Sequence, residues 1–320
     1  MTAVKDALAR RTRWRWAETA FWLAAFGALL LPPGKFLILN EIAILALFAL
    51  SLDLILGYAG IVSLGHAAFL GVGAYSAGLL AKHATGDPLA GLALAIALST
   101  VLGFCTSFLV LRGSDLTRLM VTLGVALVLG ELANALPQYT GGADGLQGVV
   151  MAPLLGTFDF DLYGRTAYAY SLTTLFVLAL LARRIVGSPF GLSLSAIRCN
   201  QLRARALGVP VGRRLIAAYT LAAGYAGAAG ALLAQTTAFV SLDVFDFHRS
   251  ADVLLVLIIG GAGWLYGGIA GAAVYKLLQD GLASLTPQYW QFWIGLFLVV
   301  FVLVGRERLF GGLRKLAGRR

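Results

Sequence analysis

Charged side chains are scarce in this chain, since only 12% of its 320 residues are Asp, Glu, Lys or Arg. A soluble globular domain carries roughly 25% charged residues and a disordered segment is poor in apolar ones, so both classes are excluded. Apolar residues make up 59% of the chain and lie in long continuous runs. Such runs exclude a β-barrel of alternating strands and predict an all-α integral membrane protein.

Cysteine and histidine are also rare. Two cysteines, Cys105 and Cys199, are too few for a disulfide framework, and no His/Cys spacing is typical of a metal site. The sequence lacks the G-x-x-x-x-G-K-[ST] phosphate loop, the G-x-S-x-G nucleophile motif and the H-E-x-x-H zinc motif. We therefore expect no catalytic residue, no metal and no cofactor on this chain, whose energy source must be a gradient or a partner subunit.

The net charge of +10 comes from three separate basic groups. Five basic residues lie within residues 1–18, seven arginines occupy 183–214 without an acid, and six basic residues fall in 305–320. Basic clusters beside apolar spans follow the positive-inside rule and contact anionic lipid. This distribution places all three groups, and both termini, in the cytoplasm, and it argues against a nucleic-acid partner.

The apolar runs predict one transmembrane domain over residues 1–320, a polytopic helical bundle of 8–10 transmembrane helices. Seven spans are expected at about 19–31, 36–56, 63–80, 88–111, 119–136, 168–182 and 215–239. The tract 253–304 holds either one full span with a re-entrant piece or three spans, because only an odd number of crossings keeps the tail inside. The acidic segment 138–166 then lies outside.

Small residues recur at four-residue spacing in two spans. They are Ala59, Ser63, Ala67 and Gly71 at and just before the start of the third, and Ala222, Ala226, Gly230 and Ala234 in the seventh. Such stripes predict helix faces that pack closely in lipid. Two further segments, Leu56–Gly60 and Ile259–Gly263, share the form [L/I]-G-[Y/G]-A-G. Paired glycine interruptions in the two halves of a transporter indicate broken helices around a translocation path.

Ionisable side chains within the spans are few, namely Glu41, Asp53, His66 and Glu131. Each is expected to face the bundle interior or a cavity, because a charge in lipid is costly. A proton-coupled carrier would use them as a relay, whereas Asn40 and Asn134 could offer neutral hydrogen bonds to a polar solute. The candidate translocation path therefore comprises Gly57, Tyr58, Gly60, Ser63, His66, Glu131, Asn134, Gly260, Gly261 and Gly263.

Residues 191–207 lie inside the basic loop and have no internal proline or glycine. The apolar positions Leu194, Ile197, Leu202 and Ala206 predict one short amphipathic helix, which Gly208 ends. A basic amphipathic helix either lies on lipid headgroups or docks a cytoplasmic partner.

Five blocks in order then show a family resemblance. They are Leu56–Gly60, Ser63–Phe69 with Gly71–Tyr75, Thr140–Gly145, the loop segments Ser188–Gly191 and Ala196–Gly208 with the following Ala218–Leu232, and Ile259–Gly263. Together they resemble permease subunits of ABC importers for branched-chain amino acids. The chain is more similar to the longer of the two paired permease types, the Liv-type M subunit.

The resemblance implies a heterodimer with a second permease subunit, two ATP-binding cassette ATPases that hold ATP and Mg²⁺, and a periplasmic substrate-binding protein, in the bacterial inner membrane. Segment 138–166 would be a periplasmic loop and 183–214 the cytoplasmic coupling loop. The ATPase would contact Ala196, Ile197, Arg198, Asn200, Ala206, Leu207 and Gly208.

The resemblance implies transport of Leu, Ile, Val or related amino acids. Permeases for urea and short amides are similar, so that substrate class stays open, as does a proton-coupled secondary carrier. The chain departs from the family at Gln201 and Arg205, where acids are frequent. Any ion pair with the ATPase through those two acids is therefore absent or inverted.

Overall fold

The computed structural model describes residues 16–30, 34–161 and 163–304, and most of them are helical. Within these ranges the only β-structure consists of two isolated bridges, so the all-α prediction is confirmed. The helices are α1 (Trp16–Gly27), α2 (Phe36–Leu56), α3 (Ala67–His83), α4 (Pro88–Val110), α5 (Asp115–Ala135), α6 (Pro137–Thr140), α7 (Arg165–Gly187), α8 (Pro189–Cys199), α9 (Gln201–Ala206), α10 (Val211–Thr237), α11 (Phe247–Gly260), α12 (Leu265–Leu285) and α13 (Trp290–Val304). The predicted basic tail 305–320 and most of 1–18 lie outside the described residues.

Five helices, α2, α4, α5, α7 and α10, are long and apolar enough to cross a membrane. A sixth candidate is the pair α11–α12, whose axes are bent by 111°. This number is smaller than the 8–10 spans expected, because several apolar runs are interrupted. For example, α1 and α3 contain 12 and 17 residues, whereas a span needs about 20.

The centre of the bundle is formed by α2 and α10. In the most apolar stretch of each helix, 72% of α2 and 78% of α10 is buried, against 17% of α5. The small-residue stripe predicted on α10 is confirmed, since Ala222, Ala226 and Ala234 have no exposed surface. A Cβ atom added to Gly230 would lie 2.0 Å from the carbonyl oxygen of Leu70 in α3. The two helix backbones therefore touch, as small residues allow.

The other predicted stripe is wrong in its first half. Residues 57–66 are not helical, so Ala59 and Ser63 do not share a helix face with Ala67. Two side chains replace the missing helical partners, because Thr122 accepts a hydrogen bond from the Leu64 N–H and Ser250 from the Ala67 N–H. Backbone without helical hydrogen bonds is stable at membrane depth only when protein or a water-filled cavity covers it.

The tract 253–304 contains three helices, separated at residues 261–264 and 286–289. The first separation is the sharp bend between α11 and α12. It includes Gly261 and Gly263 with φ of 94° and 84°, a region that side chains with a Cβ atom rarely adopt. The second glycine block therefore interrupts a helix, as the sequence predicts.

Candidate functional site

The basic loop folds into two short helices instead of the single one expected. Asn200 separates α8 from α9 because its side-chain oxygen caps α9, accepting a hydrogen bond from the Arg203 N–H at 2.9 Å. Gly208 then turns the chain with φ of 81°, as predicted for a residue that ends a helix. The apolar residues Leu194 and Ile197 of α8 are 3% and 0% exposed, so they anchor the loop to the bundle.

The opposite surface of the loop is open. Leu202 and Leu207 are each 76% exposed, and Arg203 and Arg205 are exposed between them. Of the predicted loop contacts, Ala196, Arg198, Asn200, Ala206, Leu207 and Gly208 are exposed and Ile197 is buried. The loop thus presents an apolar and basic surface, while the buried Ile197 packs against the bundle.

One residue of this loop reaches the first glycine interruption. The guanidinium of Arg198 donates a hydrogen bond to the carbonyl oxygen of Gly57, directly after the end of α2. Gly60 lies against the same side chain, because a Cβ atom there would be 3.1 Å from Cγ of Arg198. Tyr58, between the two glycines, is half-buried. The loop and the end of α2 are therefore in direct contact.

The C-terminal end of α2 also contacts the second glycine interruption. The carboxylate of Asp53, fully buried near the end of α2, accepts a hydrogen bond of 2.7 Å from the Gly263 N–H. A Cβ atom on Gly57 would lie 2.4 Å from that nitrogen, and one on Gly263 would lie 2.8 Å from the Arg198 guanidinium. We call Asp53, Gly57, Arg198 and Gly263 the junction, where two helix interruptions and the loop meet.

Gly260 and Gly261 serve the bend itself. A Cβ atom on Gly260 would lie 1.8 Å from the carbonyl oxygen of Gly267 in α12. The carbonyl oxygen of Gly261 is similarly close to Gly267, at 2.4 Å from a Cβ atom placed there. These glycines allow α11 and α12 to approach through their backbones.

The non-helical segment between α2 and α3 carries two predicted polar residues, Ser63 and His66, and both are fully buried. His66 Nε2 lies 2.8 Å from the hydroxyl of Ser51, and the imidazole stacks on Phe48 with ring centroids 5.6 Å apart. The Ser63 hydroxyl and His66 Nδ1 have no hydrogen-bond partner among the described residues. These two groups therefore lie inside the bundle with unused hydrogen-bonding capacity.

The remaining predicted path residues, Glu131 and Asn134, are exposed near the end of α5, and Glu41 forms an ion pair of 2.6 Å with Lys276. Asp53 and His66, by contrast, have their own buried partners. The structure therefore does not gather the four ionisable groups into one cluster. In the described part of the chain, no group of three His, Cys, Asp or Glu side chains could hold a metal ion.

Sequence reasoning missed a second polar region, at the ends of α2, α10, α11 and α12 away from the junction. A cavity of about 420 Å³ lies there, and its charged lining residues are Glu41, Arg249, Asp252 and Lys276. The sequence signal for this region is the run of acids at Asp243, Asp246 and Asp252, a pattern that predicts a segment outside the membrane. Helix α11 begins at Phe247, so Arg249 and Asp252 are helical; both line the cavity, Asp252 half-buried and Arg249 exposed.

Comparison with known proteins gives a consistent picture. The model of a family described as "Branched-chain amino acid transport system / permease component" matches residues 35–303. The chain is 30% identical over 260 residues to the high-affinity branched-chain amino acid transport system permease protein LivM of Salmonella typhimurium, and 29% identical to LivM of Escherichia coli K12. Each alignment covers 73% of this chain but 60% of the relative, so the chain spans less than two thirds of their length. No solved structure shows a significant match.

Proposed function

Because this chain belongs to the family of branched-chain amino acid transport permease components, we propose that it is a transmembrane subunit of an ATP-driven importer of branched-chain amino acids. The observation that carries the proposal is the contact of Arg198 with Gly57, which links an exposed loop to two helix interruptions inside the bundle. A subunit without a nucleotide site of its own needs such a link, because the conformational change driven by ATP must reach it from a partner subunit.

The partner at the loop is an ATPase subunit, one of two in the assembly. Leu202 and Leu207 give it an apolar contact, and Arg203 and Arg205 favour an acidic surface around that contact. At the two positions where the family pattern has acids, the neutral Gln201 removes one expected ion pair and Arg205 would reverse the sign of the other. A second permease subunit and a periplasmic substrate-binding protein complete the importer, and ATP with Mg²⁺ is bound only by the ATPases.

The charge pattern orients the chain in the bacterial inner membrane. Under the positive-inside rule the seven-arginine loop is cytoplasmic, so the junction lies towards the cytoplasm. Segment 138–166 and the charged cavity then lie towards the periplasm, where the binding protein delivers its ligand. Lipid surrounds the exposed apolar surfaces of the outer helices.

The mechanism follows from the connectivity of the junction. ATP binding moves the ATPase subunits and with them α8 and α9. Arg198 transmits the displacement to Gly57, and the hydrogen bond between Asp53 and Gly263 carries it to the bend between α11 and α12. Two helix interruptions then move together, which alternates access between the two sides of the membrane.

The test is transport by the reconstituted importer. Vesicles containing this chain, the second permease, both ATPases and the binding protein receive labelled leucine or labelled urea, with and without ATP on the ATPase side. We expect leucine uptake that requires both ATP and the binding protein, and no urea uptake.

Two results would contradict the proposal. ATP-dependent uptake of urea without leucine would assign the chain to a urea or short-amide importer. Leucine uptake by this chain alone on a proton gradient would show a secondary carrier, in which Glu131, Asp53 and His66 would be examined as a relay.

A further inference from the structure

The cavity away from the junction lies between five helices, α2, α3, α10, α11 and α12. Its apolar lining includes Ile44, Phe48, Leu70 and Leu233. Its charged lining consists of Glu41, Arg249, Asp252 and Lys276. Its volume of about 420 Å³ falls within the usual range of small-molecule sites, roughly 300–1,000 Å³.

The charges of the cavity balance, with two carboxylates and two basic groups. Glu41 pairs with Lys276 at 2.6 Å, and Asp252 accepts a hydrogen bond of 2.6 Å from the hydroxyl of Tyr275. Arg249 differs from these, since no carboxylate of the described residues lies within 4.0 Å of its guanidinium. Asp252 attracts Arg249 electrostatically but makes no direct ion pair with it, so the guanidinium can still bind an anionic group that enters the cavity.

A second polar group of the cavity also lacks a partner. Asn40 is only 5% exposed, and its side-chain oxygen makes no hydrogen bond with any described residue. Leaving a buried amide oxygen without a hydrogen bond is costly, so such groups normally have a partner. An unused acceptor in the same cavity as the Asp252 carboxylate suits a ligand that brings N–H donors.

We propose that this cavity binds the transported amino acid as a zwitterion, with its α-carboxylate on Arg249, its α-ammonium on Asp252 and Asn40, and its branched side chain against Phe48 and Leu233. The inference rests on the proposed function and deepens it by assigning the substrate contacts. Arg binds carboxylates through paired donors, and the balanced lining matches a ligand of no net charge that carries both signs. Urea carries neither charge, so it could not form an ion pair with Arg249.

The test separates the two ends of the ligand. Leucine, isopentylamine (no carboxylate) and isocaproate (no ammonium) are titrated up to millimolar concentration into the complete importer in nanodiscs, without the binding protein. Arg249→Gln should lower leucine affinity about tenfold or more, the usual value of a charge-assisted hydrogen bond, but leave isopentylamine affinity unchanged. Asp252→Asn should lower the affinity for leucine and for isopentylamine but leave the affinity for isocaproate unchanged.

Arg165→Gln is the matched control, because Arg165 is an exposed arginine at the start of α7, near the same end of the bundle but outside the cavity. It should bind leucine like the wild type. Arg249→Lys keeps the charge and is used if the glutamine variant does not assemble; its leucine affinity should fall by less than tenfold.

Three results would overturn the inference. They are no leucine binding by the wild type, equal losses of leucine and isopentylamine affinity in Arg249→Gln, and a leucine affinity unchanged in every Arg249 and Asp252 variant. If vesicle uptake of leucine still requires ATP in those cases, the proposed function stands and only the site is wrong. If the wild type transports no leucine, both fail.

Discussion

The junction and the charged cavity both lie between α2 and the α11–α12 pair. The junction is formed mainly by backbone contacts, whereas the cavity is lined by charged and apolar side chains. At the junction, backbone touches backbone, and Gly57 and Gly263 leave no room for a Cβ atom. At the cavity, charged side chains from Glu41 to Lys276 surround about 420 Å³ of free space. Asp53 and Glu41 are twelve residues apart, so the two regions are separated by about 18 Å along α2.

This difference suits two tasks. A contact without free space transmits displacement, because tightly packed groups cannot absorb it. A cavity lined by charged side chains can exchange its internal contacts for those of a ligand. We therefore expect junction variants to change coupling or assembly, and cavity variants to change ligand affinity.

The largest effect should come from Gly57→Ala. The added methyl group would lie 2.0 Å from the Asp53 carboxylate and 2.4 Å from the Gly263 nitrogen. Overpacking typically costs about 1–3 kcal/mol, and backbone cannot move away as a flexible side chain does. ATP-dependent uptake should be abolished and the thermal midpoint of the purified complex should fall.

Gly281→Ala serves as the control for this variant, because a Cβ atom at Gly281 in α12 meets nothing within 4 Å. Its uptake and thermal midpoint should match or slightly exceed those of the wild type, since alanine favours the helix. Normal uptake by Gly57→Ala would show that the two interruptions need not touch.

An intermediate effect is expected for Arg198→Gln. The variant loses the charged hydrogen bond to Gly57 but keeps the buried anchors Leu194 and Ile197, so the ATPases should still copurify. The number of leucine molecules transported per ATP hydrolysed should fall about tenfold, because a charge-assisted hydrogen bond is worth about 1.5–3 kcal/mol. Transport and ATP hydrolysis are measured in the same vesicles.

Arg213→Gln provides the comparison, since Arg213 is exposed in the first turn of α10 and contacts no part of the junction. It should retain the wild-type ratio. If Arg198→Gln transports as many leucine molecules per ATP as the wild type, the junction has no role in coupling. If this number changes in Arg249→Gln, the cavity takes part in coupling too, and the two regions do not have separate tasks.

The smallest effect should be that of Glu41→Gln. The Glu41 side chain is 52% exposed, so its ion pair with Lys276 is screened by solvent and is worth about 0–1 kcal/mol. The thermal midpoint should barely change. A large fall in the thermal midpoint of Glu41→Gln would instead show that this pair stabilises the packing of α2 against α12.

Several of these features could be predicted from the sequence because they depend on local pattern. The glycine blocks at 57–60 and 260–263 indicated interrupted helices, and the four-residue stripe on α10 indicated close packing. The same spacing failed at Ala59 and Ser63, because small residues favour close approach without specifying that the backbone is helical. The loop helix was also predicted as one, although Asn200 is a good N-cap and divides it.

The sequence by itself determined that the chain is a helical membrane protein, that two glycine blocks interrupt helices and which loop is basic, since composition and residue spacing are local properties of the chain. Only the tertiary structure decided that Arg198 reaches Gly57, that Asp53 holds Gly263, and that Arg249 and Asp252 share a cavity with Glu41. These partners are separated by 141, 210 and more than 200 positions in the chain. Their meeting depends on how whole helices pack against one another, which no local pattern specifies.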